Sequence, residues 1–405
     1  MNTIKEESTV STFSDMSLNP NLLSVLTINK WLYPTPIQAR AIPLILQGRD
    51  ILGIAQTGTG KTLAFGIPIV NSLKIGVALI LVPTRELAQQ VADAMRLICR
   101  PFGMNVCLLI GGASMNIQVQ SLRKNPRVLI ATPGRLIDHL RQNTISLSGV
   151  KCLVLDEADR MLDMGFKPQI EKILASVPAQ RQTMLFSATM PAEIRQITRK
   201  YMRSPGTVEV APAGTAAEAV EQSLYIVHRD QKKSVLAKLL DESSGPVLVF
   251  VRTKHTARQL TKTLFEIHPV AEIHSNRSQS QRQTAIDGFR SGKYRILIAT
   301  DIAARGIDVK GIQLVINYDL PDEAESYIHR IGRTGRAGSK GHAVSIAAPD
   351  QGKLVRDIEG LLKKPIRVVK HPGTEALKFT DADKPSARPQ GRPKQGRKRS
   401  FRIGA

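Results

Sequence analysis

Acidic residues are in short supply in this sequence. The 405-residue chain carries 34 Asp and Glu against 57 Lys and Arg, a formal charge of +23. A surplus of this size points to a polyanionic partner, usually a nucleic acid. Cysteine is scarcer still: there are three, Cys99, Cys107 and Cys152, and no CxxC pair. All three sit among apolar neighbours, which leaves no disulfide framework and predicts reduced, structural thiols. Aromatic residues make up 4% of the chain, so its cores must be aliphatic. No apolar run approaches the length of a membrane span. No basic amphipathic helix offers an apolar face to a membrane surface. The opening MNTIKEESTV has no basic region followed by an apolar one, so no signal peptide is expected. No short period marks a solenoid. These absences predict a soluble, cytoplasmic protein with no membrane partner.

What is present is a series of short Val-, Ile- and Leu-rich runs. In the first half they are Asp50–Ala55, Val77–Pro83, Val106–Gly112, Arg127–Ala131, Cys152–Leu155 and Thr183–Ser187. They are too short for helices, and amphipathic stretches separate them. That pattern predicts βα units around a parallel sheet. It pauses over 204–221, which is rich in small residues, Pro and Gly, as in a linker. It resumes at Pro246–Val251, Val270–His274, Tyr294–Ala299, Leu314–Asn317 and His342–Ile346. The expectation is therefore two tandem α/β domains, 1–203 and 222–370, joined by that linker. Residues 371–405 hold nine Lys and Arg and three acids, with much Pro and Gly. This composition predicts a disordered basic tail that tethers a polyanion or merely solubilises the chain.

Two stretches carry chemistry. The first run leads into Ala55-Gln56-Thr57-Gly58-Thr59-Gly60-Lys61-Thr62. Small residues let backbone N–H groups turn inward, and the N-terminus of a following helix favours phosphate oxygens. Lys61 can reach the β- and γ-phosphates of ATP, and Thr62 can ligate Mg²⁺. The second stretch is VLDEAD, residues 154–159, an apolar run ending in three carboxylates. Asp156 sits where a neighbouring strand should end and can hold Mg²⁺. Glu157 can orient or deprotonate the attacking water.

With AQTGTGKT and VLDEAD together, the chain resembles a DEAD-box ATP-dependent RNA helicase over roughly residues 13–350. Its wording, notably HSNRSQSQR, is similar to bacterial members of the RhlE-like group. The resemblance implies two RecA-like domains, ATP and Mg²⁺ as cofactors, and RNA as partner. It implies that Gln38 reads adenine, with Phe13 the isolated upstream aromatic. Lys30 replaces a usual Gly; Trp31, beside it, can stack on adenine or anchor a core. It implies that Thr84, Arg85, Gly112, Thr132, Pro133, Gly134 and Arg135 grip one RNA strand by its backbone. The second-domain counterparts are Arg252, Thr253, Gln279, Arg282 and Thr300. Ser187 and Thr189 would bond the DEAD acids, Asp159 among them, and His329 would join that coupling network. Arg333 and Arg336 would be arginine fingers, and Asp308 would touch the ribose. Ser275 replaces another usual Gly, so that loop should differ slightly.

The expected activity is RNA-stimulated ATP hydrolysis coupled to opening of short duplexes. Ribosomal precursors or RNA-decay proteins are the expected partners. An ATP-gated RNA clamp with little unwinding remains the alternative.

Overall fold

The computed structural model describes residues 12–56, 58–210, 220–301, 309, 311–335, 341–370 and 377–380. Asp308, Arg336, most of the predicted tail and the middle of the predicted linker lie outside the described residues.

Seven strands build the first sheet: β1 (Ile51–Ile54), β2 (Val77–Leu81), β3 (Val106–Leu109), β4 (Val128–Ala131), β5 (Val150–Leu155), β6 (Gln182–Ser187) and β7 (Gly206–Glu209). Seven more build the second: β8 (Val220–Ile226), β9 (Val247–Val251), β10 (Val270–Ile273), β11 (Ile296–Thr300), β12 (Leu314–Asn317), β13 (Gly341–Ala347) and β14 (Arg367–Val368). The orders are β3-β4-β2-β5-β6-β1-β7 and β10-β11-β9-β12-β13-β8-β14, with parallel pairing throughout.

Each sheet is covered on both faces, which is why its strands read as continuous apolar runs. In β2, Ala78 and Ile80 enter one core while Leu79 and Leu81 enter the other. In β9, Leu248 and Phe250 pack on one side and Val247, Val249 and Val251 on the opposite side. The three cysteines are buried, as expected. Among the described residues, no helix is long and apolar enough to cross a membrane.

The linker expectation needs correction. Residues 206–209 form β7, which pairs with β1 from Ile51↔Gly206 to Ile54↔Glu209. The first sheet thus runs past 203, and β8 begins at Val220. β7 reads Gly-Thr-Val-Glu beside Pro205, with a single aliphatic residue, so composition hid a strand.

Parallel strands put all their carboxyl ends on one edge, where ligand sites gather. On the first sheet, β3, β4 and β2 lead into Gly111-Gly112, Thr132 and Thr84. β5, β6 and β1 lead into Asp156, Ser187 and Gly58. One edge therefore carries two adjacent sets of loops.

Candidate nucleotide and nucleic-acid cleft

The phosphate loop is shaped by glycine. Gly58 has φ 87° and Gly60 has φ 92°, a left-handed region that favours Gly. The loop ends at the N-terminus of the helix Lys61–Ser72. Lys61 is buried; its Nζ donates to Ala55 O at 3.1 Å and lies 3.9 Å from Asp156 Oδ1. Gln38 braces this loop: Nε2 donates to Gly60 O at 2.9 Å, and Oε1 accepts from Thr35 N at 2.9 Å. Each amide atom still has capacity for one more bond, so adenine reading is compatible with the brace. Phe13 lies in the core, 3% exposed, and so acts as packing. Trp31 packs against the same core while only partly buried.

Asp156 ends β5 through its N–H, which donates to Leu81 O at 2.9 Å. Burial pushes its carboxyl up to about 6, with Lys61 pulling the other way. The Asp156 carboxyl at the end of β5 and the Thr62 hydroxyl in the first turn of the helix Lys61–Ser72 are hard oxygen donors of the kind that suit Mg²⁺. Among the described residues, no group of three or more His, Cys, Asp or Glu could hold a metal.

Glu157 follows at φ 51°, ψ 52°, left-handed for a non-glycine residue. Such a backbone costs about 1–2 kcal/mol. Its carboxylate pairs with Arg160, three residues along the next helix. Burial alone would raise the Glu157 carboxyl; Arg160, Lys61 and Arg333 together hold it well below the usual carboxylate range. Asp159 Oδ2 accepts from Ala188 N (3.0 Å), Thr189 N (2.8 Å) and Thr189 Oγ1 (2.9 Å). Ser187 departs from expectation. Its hydroxyl donates to Thr189 O at 2.7 Å, so it tightens the turn instead of bonding an acid.

The second sheet faces this site. Its helix Ala324–Ile331 brings His329 toward Asp159, Arg160 and Glu157. Burial lowers the ring to about 4, so it is neutral at pH 7. Arg333 is 4% exposed, donates Nε to His329 O at 3.3 Å, and contributes to the field on Glu157. Arg330, unassigned by sequence, fixes this segment. It holds Asp301 through Nε–Oδ1 (2.6 Å) and Nη2–Oδ2 (2.5 Å), and donates to Asn317 Oδ1 and Asp319 O.

The loops expected to grip RNA sit together on the neighbouring part of the edge. Thr84 caps the helix Arg85–Cys99 by accepting from Leu87 N at 3.2 Å. Arg85 lies over the Gly111-Gly112 turn, where Gly112 has φ 80° and a side chain would collide with the guanidinium. Thr132 precedes the helix Pro133–Arg141, which carries Gly134 and Arg135. Arg135 Nη1 donates to Ala113 O at 3.0 Å.

Across the cleft, Thr253 caps the helix Lys254–Leu264, and Gln279 opens the helix Gln279–Arg290. Thr300 ends β11. Arg252 is exposed and reaches Asp322 at 3.1 Å. Arg282 turns to Glu86 of the first domain, Nη2–Oε2 2.9 Å, with both side chains buried. In the sequence Glu86 falls just past β2, where nothing assigns it a role. Lys30 keeps a left-handed turn at φ 59° despite lacking glycine's freedom, and Ser275 stays out of that region.

The comparisons agree with this geometry. Residues 35–197 match the model of the DEAD/DEAH box helicase family, and 231–338 match the helicase conserved C-terminal domain. The chain is 41% identical over 372 residues to the ATP-dependent RNA helicase DeaD of Buchnera aphidicola, covering 90% of this chain and 62% of that one. It is 42% identical over 366 residues to the ATP-dependent RNA helicase CshA of Listeria monocytogenes, covering 89% and 70%. The chain thus spans about three-fifths of the first of these relatives. Among solved structures, S. cerevisiae Dbp5 bound to RNA and ADP BeF3 superposes with TM-score 0.79 at 32% identity, over 89% of this chain and 96% of that one. On these matches and this site, the chain belongs to the DEAD/DEAH box helicase family.

Proposed function

We propose that this protein is an ATP-dependent RNA helicase: an RNA-stimulated ATP hydrolase whose closure separates short RNA duplexes. The observation that carries the reading is the cleft itself. Glu157, in one domain with Lys61 and Asp156, faces His329 and Arg333 from the other, beside an edge of helix N-termini and arginines suited to a phosphate backbone. The name of the CshA relative supports it.

The roles follow from the chemistry. Gly58, Thr59 and Gly60 cradle phosphate oxygens, Lys61 neutralises them, and Gln38 and Trp31 take the base, with Asp308 on the ribose. Thr62 and Asp156 would hold Mg²⁺, which neutralises phosphate charge when bound. Water attacks the γ-phosphorus, the bond to the bridging oxygen breaks, and ADP leaves. Glu157 orients that water and takes its proton. Arg333 and Arg336 oppose charge developing on the phosphoryl group. Asp159, Thr189 and His329 tie this event to the domain contact.

Thr84, Arg85, Gly112, Thr132 to Arg135, Arg252, Thr253, Gln279 and Thr300 form the RNA path. Arg282 acts on closure through Glu86. The functional units are a first domain ending near 209, a second from 220 to 370, and a basic tail that adds salt-dependent RNA affinity. A bacterial cytoplasmic setting, with ribosomal precursors or RNA-decay proteins as partners, rests on the sequence resemblance.

The test is ATP hydrolysis without nucleic acid, with RNA and with DNA, followed by displacement of a short RNA duplex. Stimulation by RNA alone is expected, with activity lost in Lys61→Ala and Glu157→Gln. Equal stimulation by DNA, or activity surviving in both variants, would overturn the reading. Stimulation without displacement would select the clamp.

A further inference from the structure

A buried polar chain joins the Gly111-Gly112 turn to the helix Pro133–Arg141. His139 has 0% of its surface exposed and Gln118 has 4%. His139 Nε2 lies 3.1 Å from Gln118 Oε1, and Nδ1 lies 2.7 Å from Thr144 Oγ1. Gln118 Nε2 donates to Ile110 O at 3.0 Å and reaches Ala113 O at 3.5 Å. Those carbonyls flank the two glycines. Ala113 O also accepts from Arg135.

The partners fix the proton. The Gln118 amide nitrogen is turned toward carbonyls, so its oxygen faces the ring, and only a donor fits there. Nε2 therefore carries the hydrogen in the neutral ring, and the single Thr144 hydroxyl hydrogen is shared between Nδ1 at 2.7 Å and the His139 carbonyl oxygen at 3.1 Å. Burial, with Arg135 nearby, lowers the ring's proton affinity and keeps it neutral. The result is a directional chain from His139 through Gln118 to the Ile110 carbonyl, with Thr144 holding the far side of the ring. A buried network with its partners in place rigidifies what it connects. A Gly-Gly turn without such support samples many conformations, and ordering it would weigh against binding.

We propose that His139 and Gln118 are positioning residues for RNA. Through their mutual hydrogen bond they clamp the Gly111-Gly112 turn against the helix that bears Arg135, so both present one fixed path to a sugar-phosphate backbone. The proposal rests on the RNA reading of the cleft. Neither residue contacts RNA, because both are buried beneath the edge.

The variants are His139→Leu and Gln118→Met, which break the bond from either end. His139→Gln restores an N–H toward Gln118. Amide hydrogen exchange over residues 110–114 is measured in the full chain without RNA. Binding of a fluorescent RNA single strand is measured with a non-hydrolysable ATP analogue. Both disrupting variants should speed exchange in 110–114 and weaken RNA binding, each about tenfold, as expected for a buried acceptor left unpaired. The KM for ATP and the RNA-saturated kcat should stay within about twofold, and His139→Gln should recover most of both losses. Unchanged exchange in either folded variant would overturn the brace. Faster exchange with unchanged RNA affinity would overturn its role in binding. Faster exchange in a chain whose wild type binds no RNA would sink the RNA reading and leave the brace standing.

Discussion

Removing the Arg282 guanidinium should unlatch the two domains without unfolding either. Arg282 and Glu86 meet at 2.9 Å with side chains 8% and 2% exposed. Burial pushes the Glu86 carboxyl up, and Arg282 is the main group pulling it back down. When the domains separate, both side chains regain water and the cost of burial vanishes. In Arg282→Met, closure would bury an unpaired carboxylate. Breaking one side of a buried pair costs about 3–5 kcal/mol. Glu86 can recover part of this by taking up a proton, which leaves about 2–3 kcal/mol against closure. The closing equilibrium constant should therefore fall about 30- to 160-fold. Energy transfer between a dye on each domain, read with RNA and a non-hydrolysable ATP analogue, measures that equilibrium. Thermal unfolding of the free chain should barely move, because both sheets keep their cores. Adding Glu86→Gln should restore much of the closure, since no bare charge is then buried. A closing equilibrium within threefold of wild type would refute the argument. So would a double variant no better than Arg282→Met alone.

Two further outcomes concern stability. Lys30→Gly should stabilise the first domain, because Lys30 holds φ 59° where glycine is unstrained. Relief of about 1–2 kcal/mol, less the added freedom of the unfolded chain, leaves about 0.5–1 kcal/mol. Differential scanning calorimetry should show a rise in Tm of about 1–4 °C, and a fall would count against the left-handed turn. Alkaline pH should destabilise the fold through its thiols. Cys99 and Cys152 are each raised by burial from 9.0 to about 12. Between those values the folded state holds protons that the unfolded state releases, so stability is flat below pH 9 and falls above it. The loss is about 1.4 kcal/mol per thiol for each pH unit. Urea unfolding at pH 8 and pH 10 should show a smaller drop in Cys99→Ala/Cys152→Ala than in wild type. Tyrosine titration is common to both chains and cancels in the difference. Equal drops would rule the thiols out.

The parts legible in the sequence are those written contiguously. β1, the glycine turn and Lys61 form one stretch, and so do β5 and the DEAD acids; each strand is an aliphatic run because both its faces are buried. β7, β8 and β14 were not legible: β7 is Gly-Thr-Val-Glu with one aliphatic residue, β8 opens on the mostly polar Val-Glu-Gln-Ser beside the small-residue stretch, and β14 has two residues. Ser187 shows a second limit. A hydroxyl's presence was readable, but its choice of the Thr189 carbonyl over a carboxylate depends on a rotamer set by the folded turn. The Arg160 grip on Glu157 could have been found, since three residues along a helix brings side chains together. The contact of Glu86 with Arg282 could not. Each residue sits on an amphipathic helix of its own domain, where a charge is unremarkable, and only closure makes either one buried. Catalytic groups must be preorganised, so neighbouring residues supply them and the chain spells them out. Groups that couple nucleotide state to domain contact must be separable, so they lie on opposite domains, where sequence adjacency says nothing about their pairing.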